Sequence, residues 1–211
     1  MEFISEALEN YCIKNSTHES ELLQFINRET HAKVLMPRML SGHLQGLFLQ
    51  LISQMIKPKN VLEIGTYTGY SALCLCAGIL PNGKLITIDK NEELQQRVQG
   101  YFDKSKFKTN IEYLIGNALE IIPTLNANFD LVFIDADKIN NSLYFDLVID
   151  KVVKGGFILA DNVLWSGKVL DEKYDKDTKA IDEFNTKIAL DTRIEKMILP
   201  LRDGITLMRK L

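Results

Sequence analysis

Two apolar runs, each ending in a carboxylate, constrain the fold most strongly. Leu131-Val132-Phe133-Ile134 runs into Asp135, and Phe157-Ile158-Leu159-Ala160 runs into Asp161 and Asn162. Each run has the length and apolar character of a buried strand. The interval between them holds one crossover helix, which is what neighbouring parallel strands require. Asp135, Asp161 and Asn162 then meet at the carboxyl edge of a sheet, where α/β folds collect their ligands. Three hard oxygen donors at one point suit Mg²⁺ first, with Ca²⁺ or Mn²⁺ as alternatives, and leave positions open for water and substrate.

The rest of the chain supports the same architecture. Residues 1–57 read as a helical N-terminal part: Phe3 to Ile13 and Ser20 to Glu29 carry apolar residues at helical spacing. A longer helix to about Met55 is expected, capped by Ser41, with Leu44, Leu47, Phe48 and Leu51 on one face. Residues 58–211 alternate between strands and helices. Strands are expected at Val61–Ile64, Leu85–Ile88, Ile111–Ile115, Asp130–Ile134 and Phe157–Ala160, with helices at Tyr70–Ile79, after Asp89 to about Phe102, Ala118–Leu125, Ser142–Val153 and Ile181–Leu190. Gly155-Gly156 is expected to turn the chain into its strand. Ile194–Leu199 and Ile205–Met208, around Arg202-Asp203-Gly204, form a hairpin. The whole is read as one domain with a mainly parallel sheet covered on both faces.

Composition narrows the function classes. A net charge of -3 disfavours a nucleic-acid-binding module, which usually shows a basic face. No stretch approaches the roughly 18 apolar residues of a membrane span, and Met1 to Glu6 lacks the features of a signal peptide. Cys12, Cys74 and Cys76 have no zinc-like spacing. Cys74 and Cys76 are read as buried small hydrophobes, and the set as that of a reducing, cytoplasmic protein. His18, His31 and His43 fall in the helical part and are expected to be solvent-facing or structural.

Glu63-Ile64-Gly65-Thr66-Tyr67-Thr68-Gly69 has the form E-x-G-x-x-x-G between a strand and a helix. Gly65 permits the sharp turn and Gly69 a close approach of ligand to backbone. The dinucleotide fingerprint is richer in glycine and carries no carboxylate at the position of Glu63. Glu63 repels a pyrophosphate and attracts an ammonium. S-adenosylmethionine carries an ammonium, a sulfonium and no phosphate. Asp89, at the end of the next strand, can accept both hydroxyls of a ribose. Its alternative role is to cap the helix beginning near Asn91.

At these residues the chain resembles the cation-dependent O-methyltransferases, the group containing the caffeoyl-CoA and catechol O-methyltransferases. The matching pieces are Leu62 to Ser71, Ile88-Asp89, Gly116-Asn117-Ala118, Phe133 to Lys138, Asp161 to Gly167 and Pro200 to Gly204. They run in order over about residues 35 to 211. The resemblance implies a Rossmann-like, seven-stranded sheet with an antiparallel last strand, extra N-terminal helices and a homodimer. It implies metal ligands at Asp135, Asp161 and Asn162. Cofactor contacts are implied at Glu63, Gly65, Thr66, Ser71, Asp89, Ala118, Asp135 and Asp137, with the backbone near Ser41 closing over the methionine end. Lys138 falls where the catechol enzymes keep a catalytic lysine, and Trp165 where family members wall the substrate pocket.

The chemistry expected is in-line attack of an acceptor oxygen on the sulfonium methyl. A phenol, with a pKa of about 10, is a weak nucleophile until ionised. A divalent cation bound to adjacent oxygens favours ionisation, so catechol-type or hydroxycinnamoyl-type acceptors fit best. The same chemistry on a hydroxylated uridine in tRNA is the alternative acceptor. A non-catalytic cofactor-binding scaffold is the alternative of another class, and a NAD-dependent oxidoreductase a weaker one. Arg202 and Asp203 are expected to shape the hairpin. The charged run Asp171 to Lys179 reads as a solvated loop and helix start, or as a lid.

Overall fold

A computed structural model describes residues 4–211. Phe3, expected to open the first helix, lies outside them. The helical N-terminal part consists of α1 (Glu6–Lys14), α2 (Glu21–Lys33) and α3 (Gly42–Ile56). The side chains of Ser5 and Ser20 cap α1 and α2 by accepting from Leu8 N and Leu23 N. The alternating part runs β1 (Asn60–Ile64), α4 (Tyr70–Cys76), β2 (Lys84–Asp89), α5 (Gln95–Lys104), β3 (Ile111–Ile115), α6 (Ala118–Thr124), β4 (Phe129–Ile134), α7 (Asn141–Ile149) and β5 (Val152–Asp161). It closes with α8 (Lys176–Leu190) and the hairpin β6 (Ile194–Leu199) and β7 (Ile205–Lys210).

One seven-stranded sheet has the order β3-β2-β1-β4-β5-β7-β6, in which β7 alone is antiparallel. The chain steps outward from β1 to β3, then returns to β4 on the other side of β1. That reversal opens a crevice beyond the carboxyl ends of β1 and β4. Side chains alternate across the sheet. Val61, Leu131, Phe133 and Leu159 pack with α2 to α5, while Leu62, Ile64, Val132, Ile134 and Ile158 pack with α6 to α8. Among the described residues, no helix is long and apolar enough to cross a membrane.

Several local expectations are corrected. Ser41 begins α3 in a helical conformation but its side chain makes no capping bond. The buried face of α3 is Gln45, Gly46, Leu49 and Ser53, and Leu51 on the expected face is 49% exposed. The cause is close packing on α4. A Cβ at Gly46 would stand 2.5 Å from the Tyr70 ring, and Ser53 Oγ donates to Leu75 O at 2.5 Å. A wide apolar stripe has no room at that contact. Gly155 and Gly156 lie inside β5 instead of before it, at a break in register between Phe129↔Val152 and Leu131↔Phe157. The helix expected to reach Val153 ends at Ile149 so that β5 can start early. Helix α8 starts at Lys176, with Asp175 Oδ1 accepting from Thr178 N at 2.7 Å. The second half of the charged run is therefore a helix start, and the Thr178 and Lys168 contacts hold the Asp175 carboxyl down at about 2.

Candidate active site

The sheet register assembles the site. Ile64 pairs with Ile88 on one side and Ile134 on the other, and Ile134 pairs with Ala160. Asp89, Gly65, Asp135 and Asp161 therefore follow one another along a single edge. Gly65 N donates to Ile88 O at 2.9 Å and Asp135 N to Ile64 O at 2.8 Å, which ties the three strand ends together. Gly65 has φ 103, and a Cβ there would lie 2.1 Å from Asp135 O. Only glycine fits where the chain leaves β1 against the end of β4.

Asp89 holds the turn that follows. Its Oδ2 accepts from Thr66 N at 3.0 Å and Tyr67 N at 2.6 Å, and its Oδ1 from Asn91 N at 2.9 Å. Asn91, not Asp89, supplies the side chain that caps the next short helical turn. Ala118 opens α6 next to Gly116, whose N–H donates to Asp89 O at 2.8 Å. A cleft over this turn is lined by Leu40, Ser41, Gly65, Thr66, Ser71 and Asp135 among others. Ser41, Gly65, Thr66, Ser71 and Asp135, five of the residues read as cofactor contacts, thus line one cleft.

Glu63 lies in β1 two residues before Gly65 and is fully buried, a carboxyl in an otherwise apolar strand. Its Oε2 accepts from Thr87 Oγ1 at 2.5 Å, and Thr87 Oγ1 stands 2.6 Å from Thr66 Oγ1. Its Oε1 has no hydrogen-bond partner among the described residues. Burial pushes the Glu63 carboxyl up to about 8, against the Ser71 and Thr87 hydroxyls and with help from Asp135 and Asp89. An orphaned acceptor two residues before Gly65 fits a ligand that brings an N–H or ammonium donor.

The sign of that shift gives a prediction. The folded carboxyl keeps its proton up to about pH 8, whereas the unfolded one loses it near 4.5. Stability is full below the lower value and falls between the two, by at most about 1.4 kcal/mol per pH unit. Glu63→Gln keeps the shape and removes the proton. Its melting temperature is expected to exceed that of the wild type increasingly from pH 5 to pH 8. Parallel melting curves of the two proteins across pH would refute the assignment.

Asp135 and Asp161 carry the second half of the site. Burial drives the Asp135 carboxyl upward, Lys138 opposes the rise and Asp161 adds to it. Lys138 Nζ donates to Asp135 Oδ1 at 2.9 Å. Asp161, 3% exposed, accepts from Gln45 Nε2 at 2.6 Å on Oδ2 and from Asn162 N at 2.7 Å on Oδ1. Asn162 has φ 60, and its Nδ2 stands 3.5 Å from Asp203 Oδ2, so its amide oxygen is the atom left to act as a donor to a cation. Two carboxylates and an amide carbonyl are a hard-oxygen set that fits Mg²⁺ or Ca²⁺. They do not form a cluster of three His, Cys, Asp or Glu side chains, of which the described residues hold none suited to a metal. Asp137 is occupied differently. It accepts from Tyr144 OH at 2.5 Å and from Asn140 Nδ2, contacts that outweigh its burial and hold its carboxyl below the usual range.

Trp165 is half-buried at the head of a loop with left-handed backbone at Trp165, Ser166 and Gly167. Asp203 organises that loop by accepting from Ser166 N, while its carbonyl accepts from Leu164 N at 3.0 Å. Sequence reasoning did not single out Gln45, and favoured a hairpin-shaping role for Arg202 and Asp203 over contact with substrate. A glutamine inside a helix carries no site signal, and neither does an arginine in a turn. Cys74 and Cys76 are buried, and burial pushes both thiols up. His18 and His31 are exposed, whereas His43 is partly buried with Nδ1 at 3.9 Å from Glu19.

The chain is similar to known O-methyltransferases. A family model described as O-methyltransferase matches residues 13–211. Caffeoyl-CoA O-methyltransferase 5 of Nicotiana tabacum is 34% identical over 224 residues, covering 98% of this chain and 92% of that protein. Caffeoyl-CoA O-methyltransferase of Petroselinum crispum is also 34% identical, with the same coverage. Among solved structures, the O-methyltransferase TomG from Streptomyces achromogenes, in complex with SAM, superposes with a TM-score of 0.90 at 26% identity, covering 98% of this chain and 99% of that one. The Bacillus cereus O-methyltransferase in complex with SAH gives 0.90 at 28%, covering 97% of each.

Proposed function

The chain belongs to the O-methyltransferase family and is an S-adenosylmethionine-dependent O-methyltransferase, and we propose that it methylates a phenolic hydroxyl, of catechol or hydroxycinnamoyl type, with a divalent cation. The observation that carries this reading is the alignment of Asp135 and Asp161 beside the Gly65 turn. It brings a hard-oxygen set and a donor cleft onto one sheet edge.

In this reading Glu63 Oε1 and the Ser41 segment receive the methionine end of the donor, and Asp89 its ribose. Asp135, Asp161 and the Asn162 amide oxygen hold the cation, Mg²⁺ by preference for hard oxygens. When bound, such a cation lowers the pKa of a coordinated hydroxyl and orients a vicinal diol. Lys138, in its neutral amine form, accepts at Nζ the proton that the attacking hydroxyl loses. Trp165 and its loop, fixed by Asp203, wall the acceptor. Both reactants are then held in near-attack geometry, which accounts for much of the rate.

Lys138→Met is expected to lower kcat roughly 10²-fold, the lower end of what a general base contributes, with the affinity for SAH unchanged. A kcat within twofold of the wild type would remove Lys138 from the proton transfer. The reading as a whole is tested by transfer of a labelled methyl group to catechol, caffeoyl-CoA and tRNA, each with Mg²⁺ and with EDTA. Transfer to the two phenols that stops in EDTA and returns with Mg²⁺ is the expected result. Transfer confined to tRNA, or indifferent to EDTA, would overturn it.

A homodimer belongs to the same proposal. Leu8, Tyr11, Leu35, Met39 and Met55 are large apolar side chains left exposed on the N-terminal part. The expected solution mass is twice the chain's 24.1 kDa. The free cysteines Cys12, Cys74 and Cys76 fit a reducing compartment, which we take to be the cytoplasm.

A further inference from the structure

The turn between β6 and β7 reaches far beyond its own hairpin. Arg202 sits on it with φ 50, a left-handed conformation that residues other than glycine, asparagine and aspartate rarely adopt. Its guanidinium crosses to the N-terminal part of the chain. Nη1 donates to Leu40 O at 2.7 Å and to Ser41 O, and stands 3.4 Å from Gln45 Oε1. Gln45 is 1% exposed and passes the contact on, with Nε2 donating to Asp161 Oδ2 at 2.6 Å. The guanidinium fixes which way the Gln45 amide faces, because Arg has no acceptor atom and can only meet the amide oxygen. The nitrogen is left to meet the carboxylate.

The segment so held has few other anchors. Leu35 is 87% exposed and Met39 is 56% exposed, and Leu40 is the one buried apolar side chain of residues 35–41. Its start is tied by Tyr67 OH, which donates to Leu35 O at 3.1 Å and Met36 O at 3.2 Å. Its end is tied by Arg202. Between the two ties, Met39, Leu40 and Ser41 form one wall of the cleft over the Gly65 turn. A strap with so little apolar burial takes its position from polar ties, and the charged one is the stronger.

We infer that Arg202 is a positioning residue for methyl transfer, whose guanidinium fastens residues 39–41 over the donor cleft and, through the Gln45 amide, orients the Asp161 carboxylate. This rests on the assignment of that cleft to S-adenosylmethionine. It couples two parts of the site that lie far apart in the sequence. The wall of the donor cleft and the cation ligand Asp161 share one clamp.

The informative variant is Arg202→Gly, since glycine is at ease at φ 50 and the substitution removes the guanidinium without straining the turn. Its melting temperature is expected to stay within about 3 °C of the wild type. Its Kd for SAH, measured by calorimetry, is expected to rise about tenfold or more, as loss of charge-assisted bonds predicts. The KM for S-adenosylmethionine should rise with it, while kcat falls less. Arg202→Lys, with a single ammonium in place of the fork, should recover part of the affinity. Hydrogen exchange on the cofactor-free proteins reads the clamp directly. Amides of residues 38–45 should exchange about tenfold faster in Arg202→Gly, with β1 and β4 unchanged.

An SAH Kd within twofold of the wild type, or unchanged exchange over residues 38–45, overturns the inference. So does faster exchange throughout the sheet with a large fall in melting temperature, which would make Arg202 a general structural strut. If the wild type itself fails to bind SAH, the cofactor assignment is what fails, and the exchange comparison still decides whether the clamp exists.

Discussion

Asp161→Asn is expected to lower kcat roughly 10³-fold while the protein melts within about 6 °C of the wild type. The substitution is nearly isosteric. Asn can present its one oxygen to Gln45 Nε2, keeping the buried contact at 2.6 Å, but its amide nitrogen then faces the Asn162 N–H that Asp161 Oδ1 accepts at 2.7 Å, at a cost of about 1–2 kcal/mol. What is lost is one of two negative charges at the cation site, together with one anionic donor. Several kcal/mol of charge stabilisation depend on that donor set in the proposed chemistry, and each 1.4 kcal/mol is about a factor of ten. Calorimetry with Mg²⁺ provides the independent reading, since affinity for the ion should fall by about two orders of magnitude even without substrate. Undiminished turnover that also ignores EDTA would mean that the carboxylate pair is only a structural feature of the sheet edge.

Gly65→Ala is the harsher change. It is expected to destabilise the protein by about 3 kcal/mol or more, a fall in melting temperature of roughly 10 °C, and to abolish SAH binding. The new methyl carbon would lie 2.1 Å from Asp135 O and 2.6 Å from Asp135 C, both backbone atoms that cannot swing aside. The backbone at φ 103 is also closed to alanine. Relief requires β1 and β4 to part at their carboxyl ends, where Asp135 N donates to Ile64 O at 2.8 Å. Gly42, at φ 72 with nothing within 4 Å of a built Cβ, is the control. Gly42→Ala carries backbone strain without the collision, so its loss should be the smaller of the two. Equal losses would mean that backbone conformation, not contact with Asp135, explains the requirement at Gly65.

The sheet edge was legible in the sequence because buried parallel strands are short, apolar and end in exposed chemistry. Asp135 and Asp161 could be placed beside each other from their runs alone, and the register of β4 with β5 puts them there. Helix ends and buried faces were less legible. In α3 the pattern pointed to Leu44, Leu47, Phe48 and Leu51, but close approach to α4 favours small and polar side chains at the contact, and Gly46 and Ser53 took it. Glycines 155 and 156 read as a turn since turns are where paired glycines usually occur. Here they accommodate a register break within β5. The clamp through Arg202 and Gln45 left no local signal at all. Each partner looks like ordinary solvent-facing polarity until the fold brings residues 40 and 202 together.

The strand order also dictates when the site can exist. β7 is last in the chain yet lies between β5 and β6, so β6 has no partner strand until β7 is synthesised and inserted. The antiparallel wedge is a long-range pairing and pays its loop-closure entropy late. Arg202 rides on the connection that forms with it. During synthesis the helices and β1 to β5 can assemble while the donor cleft still lacks its fastening. On the proposed role of Arg202, the donor cleft gains its fastening only with the last strand to be made.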